Sequence, residues 1–178
     1  MNAMALLEKY LGDNPPLFHL VCDHSKRVVE KALWIADKHP ELNLNRLFLE
    51  EAGMIHDIGV FLTHAPSIHC FGTRPYLCHG FLGRELMEKE GFFSHALVCE
   101  RHTGTGLSVE EIQSRELPLP HRDMLPVTPE EQVLCFSDTF FSKSKPQQTL
   151  TVDEALASVA RFGEKNRIQF TDWCHLFL

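Results

Sequence analysis

The stretch NRLFLEEAGMIHDIG, residues 45–59, decides how the whole chain is read. Asn45 suits a helix N-cap, because its amide oxygen can take a free backbone N–H of the first turn. Phe48, Ala52, Ile55 and His56 then recur at helical spacing and predict one inner face, stopped by Gly59. A histidine followed by an aspartate therefore arrives at the end of a core-facing helix. Upstream, Asp13 and Asn14 precede Pro15 and Pro16, a cap with proline in the first turn. Leu17, Val21, His24, Val28, Ala32 and Ile35 follow at steps of three and four, which predicts one helix face.

Downstream the punctuation is that of more helices. Pro66, Gly72 and Pro75 make 60–76 a loop; Tyr76 to Lys89 is a helix ended by Gly91, and Phe92 to His102 is another. Three capping boxes come next. Ser108 with Glu111 starts a short helix, Thr128 with Glu131 starts one running through Phe141, and Thr151 with Glu154 starts one ending at Gly163. Prolines at 118, 120 and 126 make Glu116 to Pro126 a loop, and no segment alternates as a strand would. The expectation is an all-α, single-domain helical bundle of about seven or eight helices over residues 1–178, with a core region at about 17–142 and C-terminal helices in 151–178.

The composition agrees. The chain has 178 residues, enough for one domain with a real core, with 44% hydrophobic and 23% charged residues, so a disordered tail and a disulfide miniprotein are excluded. Acidic residues outnumber basic ones 24 to 17, for a net charge of −7, which argues against a non-specific nucleic-acid binder. None of the six cysteines forms a CxxC pair, which removes zinc ribbons and thioredoxin motifs; they read as small buried hydrophobes. No signal peptide and no apolar run of about 18 residues is visible, so the expectation is a cytoplasmic protein without a membrane partner.

Eleven histidines are an excess, and neutral imidazole is the commonest protein metal ligand. His24 lies on the apolar stripe of its helix, His56 and Asp57 end the next, His79 opens the following apolar face, and His102 ends the fourth. Asp138 faces inward between Leu134 and Phe141. A single inward histidine is ordinarily a core residue. The specific signal is the joint pattern, because a buried carboxylate needs a partner or a cation.

His24, then IHDIG at 55–59, then Asp138 in CFSD resembles the HD-domain superfamily of metal-dependent phosphohydrolases, in its HDIG spelling. His79-Gly80 with Gly83, and Arg101-His102 followed by the Leu-Pro pairs and Thr128, extend the likeness over roughly 17–142. The resemblance implies a bundle of the HD-domain type and a divalent metal site. His24, His56, Asp57 and Asp138 match the ligands of a primary metal. His79 and His102 match those of a second, with Asp57 bridging. The resemblance makes Asp57 and His56 the catalytic pair of the motif. The sequence departs from one branch: the cyclic-dinucleotide phosphodiesterases carry a His-His pair and a GYP signature, where this chain has His102-Thr103 and then GTG, which argues against cyclic-di-GMP cleavage.

The implied cofactor is one or two divalent ions per chain, with Fe, Mn, Zn, Co, Ni and Mg not distinguished by a mixed His and Asp set. The implied function is a metal-dependent phosphohydrolase in which metal-activated hydroxide attacks the phosphorus of a small phosphate ester or nucleotide. The alternatives are a di-iron oxygenase of the same superfamily and a non-catalytic metal-binding regulatory module; an intact ligand set argues against the module. The expected partner is a small, nucleotide-like phosphorylated molecule, with the oligomeric state left open. Arg27, one turn after His24, and Lys143, five residues after Asp138, are the expected substrate-phosphate contacts. His64, His69, His95 and His121 are given no role.

Overall fold

The longest helix organises the rest. In the computed structural model, which describes residues 1–178, α2 (Pro15–Lys38) starts at Asn14, whose side chain accepts the Leu17 amide at 3.3 Å, with Pro15 and Pro16 in the first turn. Proline fits there because the N–H it lacks is one the helix would leave unpaired. The stripe from Leu17 to Ile35 is buried along its length. Against it lies α3 (Arg46–Ile55), capped by Asn45, which accepts the Phe48 amide at 3.1 Å.

Around this pair, α1 (Ala3–Leu11) packs on α2 and α3, and α4 (His79–Lys89) pairs with α5 (Phe93–Arg101). The short α6 (Val109–Ser114) follows; α7 (Pro129–Asp138) packs on α2, and α8 (Val152–Ala160) pairs with α9 (Glu164–Phe177). Three apolar cores result. The first joins Val28 and Ile35 of α2 to Leu49, Phe136, Phe170 and Phe177. The second joins Leu17 and Val21 to Leu7, Leu11, Ile55 and Ile58. The third and smallest joins Cys78, Phe81 and Leu82 to Leu107 and Ile112. His24, between Val21 and Val28, falls on α2 where the first core gives way to the second.

The all-α expectation holds, with nine α-helices instead of seven or eight. The uncounted N-terminal helix α1 is capped by the Asn2 side chain and buries Leu6, Leu7 and Leu11. No helix is long and apolar enough to cross a membrane. The Ser108 and Thr151 capping boxes form reciprocally, but the Thr128 box does not. The Glu131 carboxylate accepts instead from the Val127 amide at 2.6 Å and from Arg101, a charge-assisted pair that outcompetes a neutral cap. Helix α7 stops at Asp138, three residues short of Phe141, as the chain turns to bury Phe140.

The 60–76 segment is more ordered than a loop. A 3₁₀ helix (Ile58–Leu62) leads into two two-residue antiparallel strands, β1 (His64–Ala65) and β2 (Cys70–Phe71), with His64 opposite Phe71. Buried Ile68 and Cys70 anchor it, and Asn14 donates to the His69 carbonyl at 2.8 Å.

Gly59 was read as a helix stop, yet α3 has already ended at Ile55. Its role is close approach: a methyl there would run into the His79 carbonyl and the Gly83 amide, so the 3₁₀ segment and α4 touch backbone to backbone. That contact brings Asp57 up to His79. Gly59→Ala is expected to destabilise the protein by at least about 2 kcal/mol, the range for overpacking against rigid atoms. A denaturant midpoint unchanged from the parent would show that this contact is dispensable.

Candidate metal centre

Three of the four histidines of the constellation sit where a helix leaves a carbonyl without a partner, whereas His24 lies within α2. His56 follows the last residue of α3 and His102 the last of α5, while His79 follows the 3₁₀ turn Tyr76–Cys78. The last carbonyls of a helix lack intrahelical donors. In all three cases imidazole Nδ1 donates to the carbonyl three residues back: His56 to Gly53 at 2.7 Å, His79 to Tyr76 at 2.7 Å, and His102 to Cys99 at 2.8 Å. The second nitrogen is left facing outward, the arrangement that orients a metal-ligating histidine. The Cys135 thiol donates to the His102 and Gly104 carbonyls at 3.2 and 3.1 Å and steadies the backbone behind His102.

The free nitrogens and the two aspartates converge in two groups. His24 Nε2 lies 2.8 Å from Asp138 Oδ1, 3.3 Å from Asp57 Oδ2 and 3.3 Å from His56 Nε2. His56 Nε2 is 3.1 Å from Asp57 Oδ2 and 3.5 Å from Asp138 Oδ1. On the other side, His79 Nε2 and His102 Nε2 are 3.0 Å apart, and lie 3.4 and 3.5 Å from Asp57 Oδ1. Asp57 therefore turns one oxygen to each group. Five chain segments supply these residues, and all but the partly exposed Asp138 are buried.

Three observations fit this set to divalent ions. Both oxygens of Asp57 and Oδ1 of Asp138 are shut off from water and accept no hydrogen bond, a costly state for a carboxylate unless a cation meets it. The donor separations given above run from 2.8 to 3.5 Å, the spacing of neighbouring ligands around one ion with bonds of ~2.0–2.2 Å. Neutral imidazole with carboxylate is a donor set for first-row ions.

A cation is already close. The Lys143 ammonium lies 2.6 Å from Asp57 Oδ2 and 3.3 Å from His24 Nε2, with a side chain about 10% exposed, although its approach to Asp57 lacks hydrogen-bond alignment. Burial alone would raise the Asp57 carboxyl, but Lys143 and then His56 outweigh it and hold the group well below the usual carboxylate range. Asp138 is held low in the same way, chiefly by Lys143. Burial would lower His56, but Asp57 and Asp138 push it up to about 10. Burial and the neighbouring His102 bring His79 down to about 4, so its imidazole is neutral and ready to bind.

Of the sequence-predicted residues, the structure brings together His24, His56, Asp57, His79, His102, Asp138 and Lys143. It places Arg27 elsewhere. The Arg27 guanidinium donates to the Pro146 carbonyl, the Gln148 carbonyl at 3.2 Å and Thr149 Oγ1 at 2.6 Å, and stacks 4.6 Å over Phe141. It ties down the segment that carries Lys143 and does not face the metal ligands. His64, His69 and His121 are exposed and belong to neither ligand group, while His95 pairs with Glu51 at 3.2 Å. Sequence reasoning missed Tyr76, whose ring stacks on His79 with centroids 4.7 Å apart; its only signal was its place three residues before a ligand.

The model of the HD domain family matches residues 21–141, about two thirds of the chain and all six convergent ligands. The chain belongs to the HD-domain family. Its HD domain is similar to an uncharacterized protein of Methanocaldococcus jannaschii, 32% identical over 149 residues, which cover 81% of this chain and 76% of that one. It is also similar to proteins named tRNA (cytidine(56)-2'-O)-methyltransferase. The one from Picrophilus torridus is 28% identical over 127 residues, 71% of this chain and 33% of that protein. The one from Thermoplasma volcanium is 29% identical over 125 residues, 69% of this chain and 32% of that protein. The chain thus spans about a third of the length of these two relatives. No solved structure matches it. Lys143 lies just beyond the part shared with the HD family at large.

Proposed function

We propose that this HD domain is a metal-dependent phosphohydrolase acting on a small phosphate ester or nucleotide. The observation that carries the reading is Asp57: a buried carboxylate with no hydrogen-bond donor aligned on either oxygen, each oxygen facing a separate histidine group. His24, His56, Asp57 and Asp138 would hold a primary ion, and Asp57, His79 and His102 a second. Divalent ions in such a site lower the pKa of water and neutralise charge at phosphorus. The chain's own part is to orient and to exclude. The carbonyls of residues 53, 76 and 99 fix three of the imidazoles, and the apolar cores keep solvent behind the ligands. Lys143 supplies an ammonium on the solvent side of Asp57, where an anionic substrate enters. That placed cation favours phosphate chemistry over the oxygenase reading. The names of the two methyltransferase relatives make nucleotides the first compounds to try.

The test is phosphate release from a panel of nucleotides and aryl phosphates by protein loaded in turn with Mn²⁺, Co²⁺, Ni²⁺, Zn²⁺, Fe²⁺ and Mg²⁺. Turnover with at least one ion supports the reading. Silence with all of them, together with oxygen-dependent turnover of the iron form, replaces it with the oxygenase.

Acid sensitivity follows from the histidines. In the cation-free site His56 holds a proton up to about pH 10, above its ordinary 6.5. A raised pKa of this kind stabilises the cation-free fold fully below pH 6.5, and the contribution is lost as pH rises through about 10. Metal entry must expel that proton, so apparent affinity is expected to rise by about tenfold per pH unit across the neutral range. Activity is expected to fall below about pH 6. Calorimetric titrations with Mn²⁺ at pH 6, 7 and 8 read the slope; a flat series would take His56 out of the ligand set.

A further inference from the structure

The two residues before His102 are both charged, and each ties the end of α5 to a different helix. α4 and α5 pack with the start of one beside the end of the other, which sets His79 and His102 with their Nε2 atoms 3.0 Å apart. The two backbones touch at Gly80: a methyl there would stand 2.8 Å from the Cys99 carbonyl and 3.2 Å from that of Glu100. The Cys99 carbonyl is the one that accepts from His102 Nδ1. This contact limits how close the helices come, but it does not stop them parting or sliding.

Glu100 supplies that restraint. Its side chain is fully buried, and its two oxygens are divided between two partly exposed arginines. Oε2 accepts from Arg84 of α4, five residues after His79. Oε1 accepts from Arg122 Nε at 2.9 Å, and Arg122 belongs to the segment between α6 and α7. Arg84 Nε also donates to Glu88 at 2.7 Å, which fixes the direction of its guanidinium. Arg101 faces the other way and donates to the Glu131 oxygens at 2.9 and 3.0 Å, in the helix that ends at Asp138. A buried carboxylate between arginines is often no more stabilising than apolar residues of the same volume. What it adds is direction, because charge-assisted bonds to a rigid guanidinium fork accept a narrow range of geometries. A metal site needs that, since its ligand distances hold to about ±0.2 Å.

We propose that Glu100 is a positioning residue for the second ion: held by Arg84 and Arg122, it fixes the end of α5 against α4 so that His79 and His102 meet one cation together. This rests on the two-ion site proposed above and not on the identity of the substrate. The effect is confined to one half of the centre. None of the hydrogen bonds of the Glu100 side chain reaches the segments that carry His24, His56 or Asp138.

The experiment titrates the full chain with Mn²⁺, read by calorimetry and by electron paramagnetic resonance, in which two ions sharing the Asp57 carboxylate give a spin-coupled signal. In Glu100→Gln and in Arg84→Met the second ion is expected to bind at least tenfold more weakly, the range for losing a group that orients a ligand. The first ion is expected to bind within twofold of the parent, and the coupled signal to fade at the Mn²⁺ concentration that just saturates the parent. Arg84→Lys, which keeps the charge, is expected to recover part of the loss. Phe177→Leu, in the first core on α9, reports instability alone: it is expected to lower the melting temperature and leave both ions bound as in the parent. If either Glu100→Gln or Arg84→Met folds and binds the second ion as tightly as the parent, Glu100 does not position it, and the two-ion site stands. An equal loss in Phe177→Leu overturns the positioning role as well. A parent that binds a single ion overturns the two-ion site and the positioning role with it.

Discussion

Asp57→Asn is expected to leave the purified protein without tightly bound divalent metal and with turnover reduced on the order of 1,000-fold or more, because one residue is shared by both ligand groups. The change keeps the side-chain volume and removes only the charge, so packing of the 3₁₀ segment against α4 is retained. What is lost is the anion that faces His24 and His56 on one oxygen and His79 and His102 on the other. Lys143 also loses its partner at 2.6 Å. Removing one member of a buried pair costs about 3 kcal/mol when the other cannot reach water. Lys143 borders two open cavities, so part of that cost is relieved as the ammonium turns outward. Elemental analysis and a thermal melt, run beside the parent, read both consequences. A variant that retains its metal and turns over normally would contradict the site.

The two ligand groups are expected to separate by stoichiometry. His79→Ala or His102→Ala should leave about one ion per chain and lower the rate on the order of 100-fold, with the helical circular dichroism signal unchanged. His24→Ala or Asp138→Ala should empty the group built on α2 and α7 and remove activity almost wholly. Each residue comes from a different segment, so its deletion opens one coordination position while the other segments stay packed. If the parent itself holds a single ion and His79→Ala changes neither content nor rate, a mononuclear site of His24, His56, Asp57 and Asp138 replaces the two-ion arrangement. His79 and His102 then face the substrate.

Much of this was legible before any coordinates, for identifiable reasons. The stripe through Leu17, Val21 and Val28 carried His24 inward with it, because helical periodicity fixes which way a Cβ points. Histidines at helix ends were readable as polar residues at the close of an apolar face. The reason for their place, a free carbonyl waiting for Nδ1, belongs to three-dimensional geometry. Arg27 shows where periodicity stops. Its Cα lies one turn from His24 as expected, but a side chain that long chooses its target by what surrounds its end, and the 146–149 segment offers two carbonyls and the Thr149 hydroxyl. Lys143 was named for following Asp138 closely. Nothing in the spacing told that the chain leaves α7 at Asp138 and folds the ammonium back onto Asp57. Gly59 was read through its local habit of ending helices, whereas its neighbours in space, His79 and Gly83, lie twenty and more residues away.

The central claim is that Asp57 lies between two divalent ions. The most direct measurement is anomalous scattering from crystals grown with Mn²⁺, recorded at the manganese edge. The account predicts two peaks per chain, one among His24, His56 and Asp138 and one beside His79 and His102, each within bonding distance of a different oxygen of Asp57. Crystals that diffract well, contain the added ion in solution, and show no peak within reach of Asp57 would contradict it.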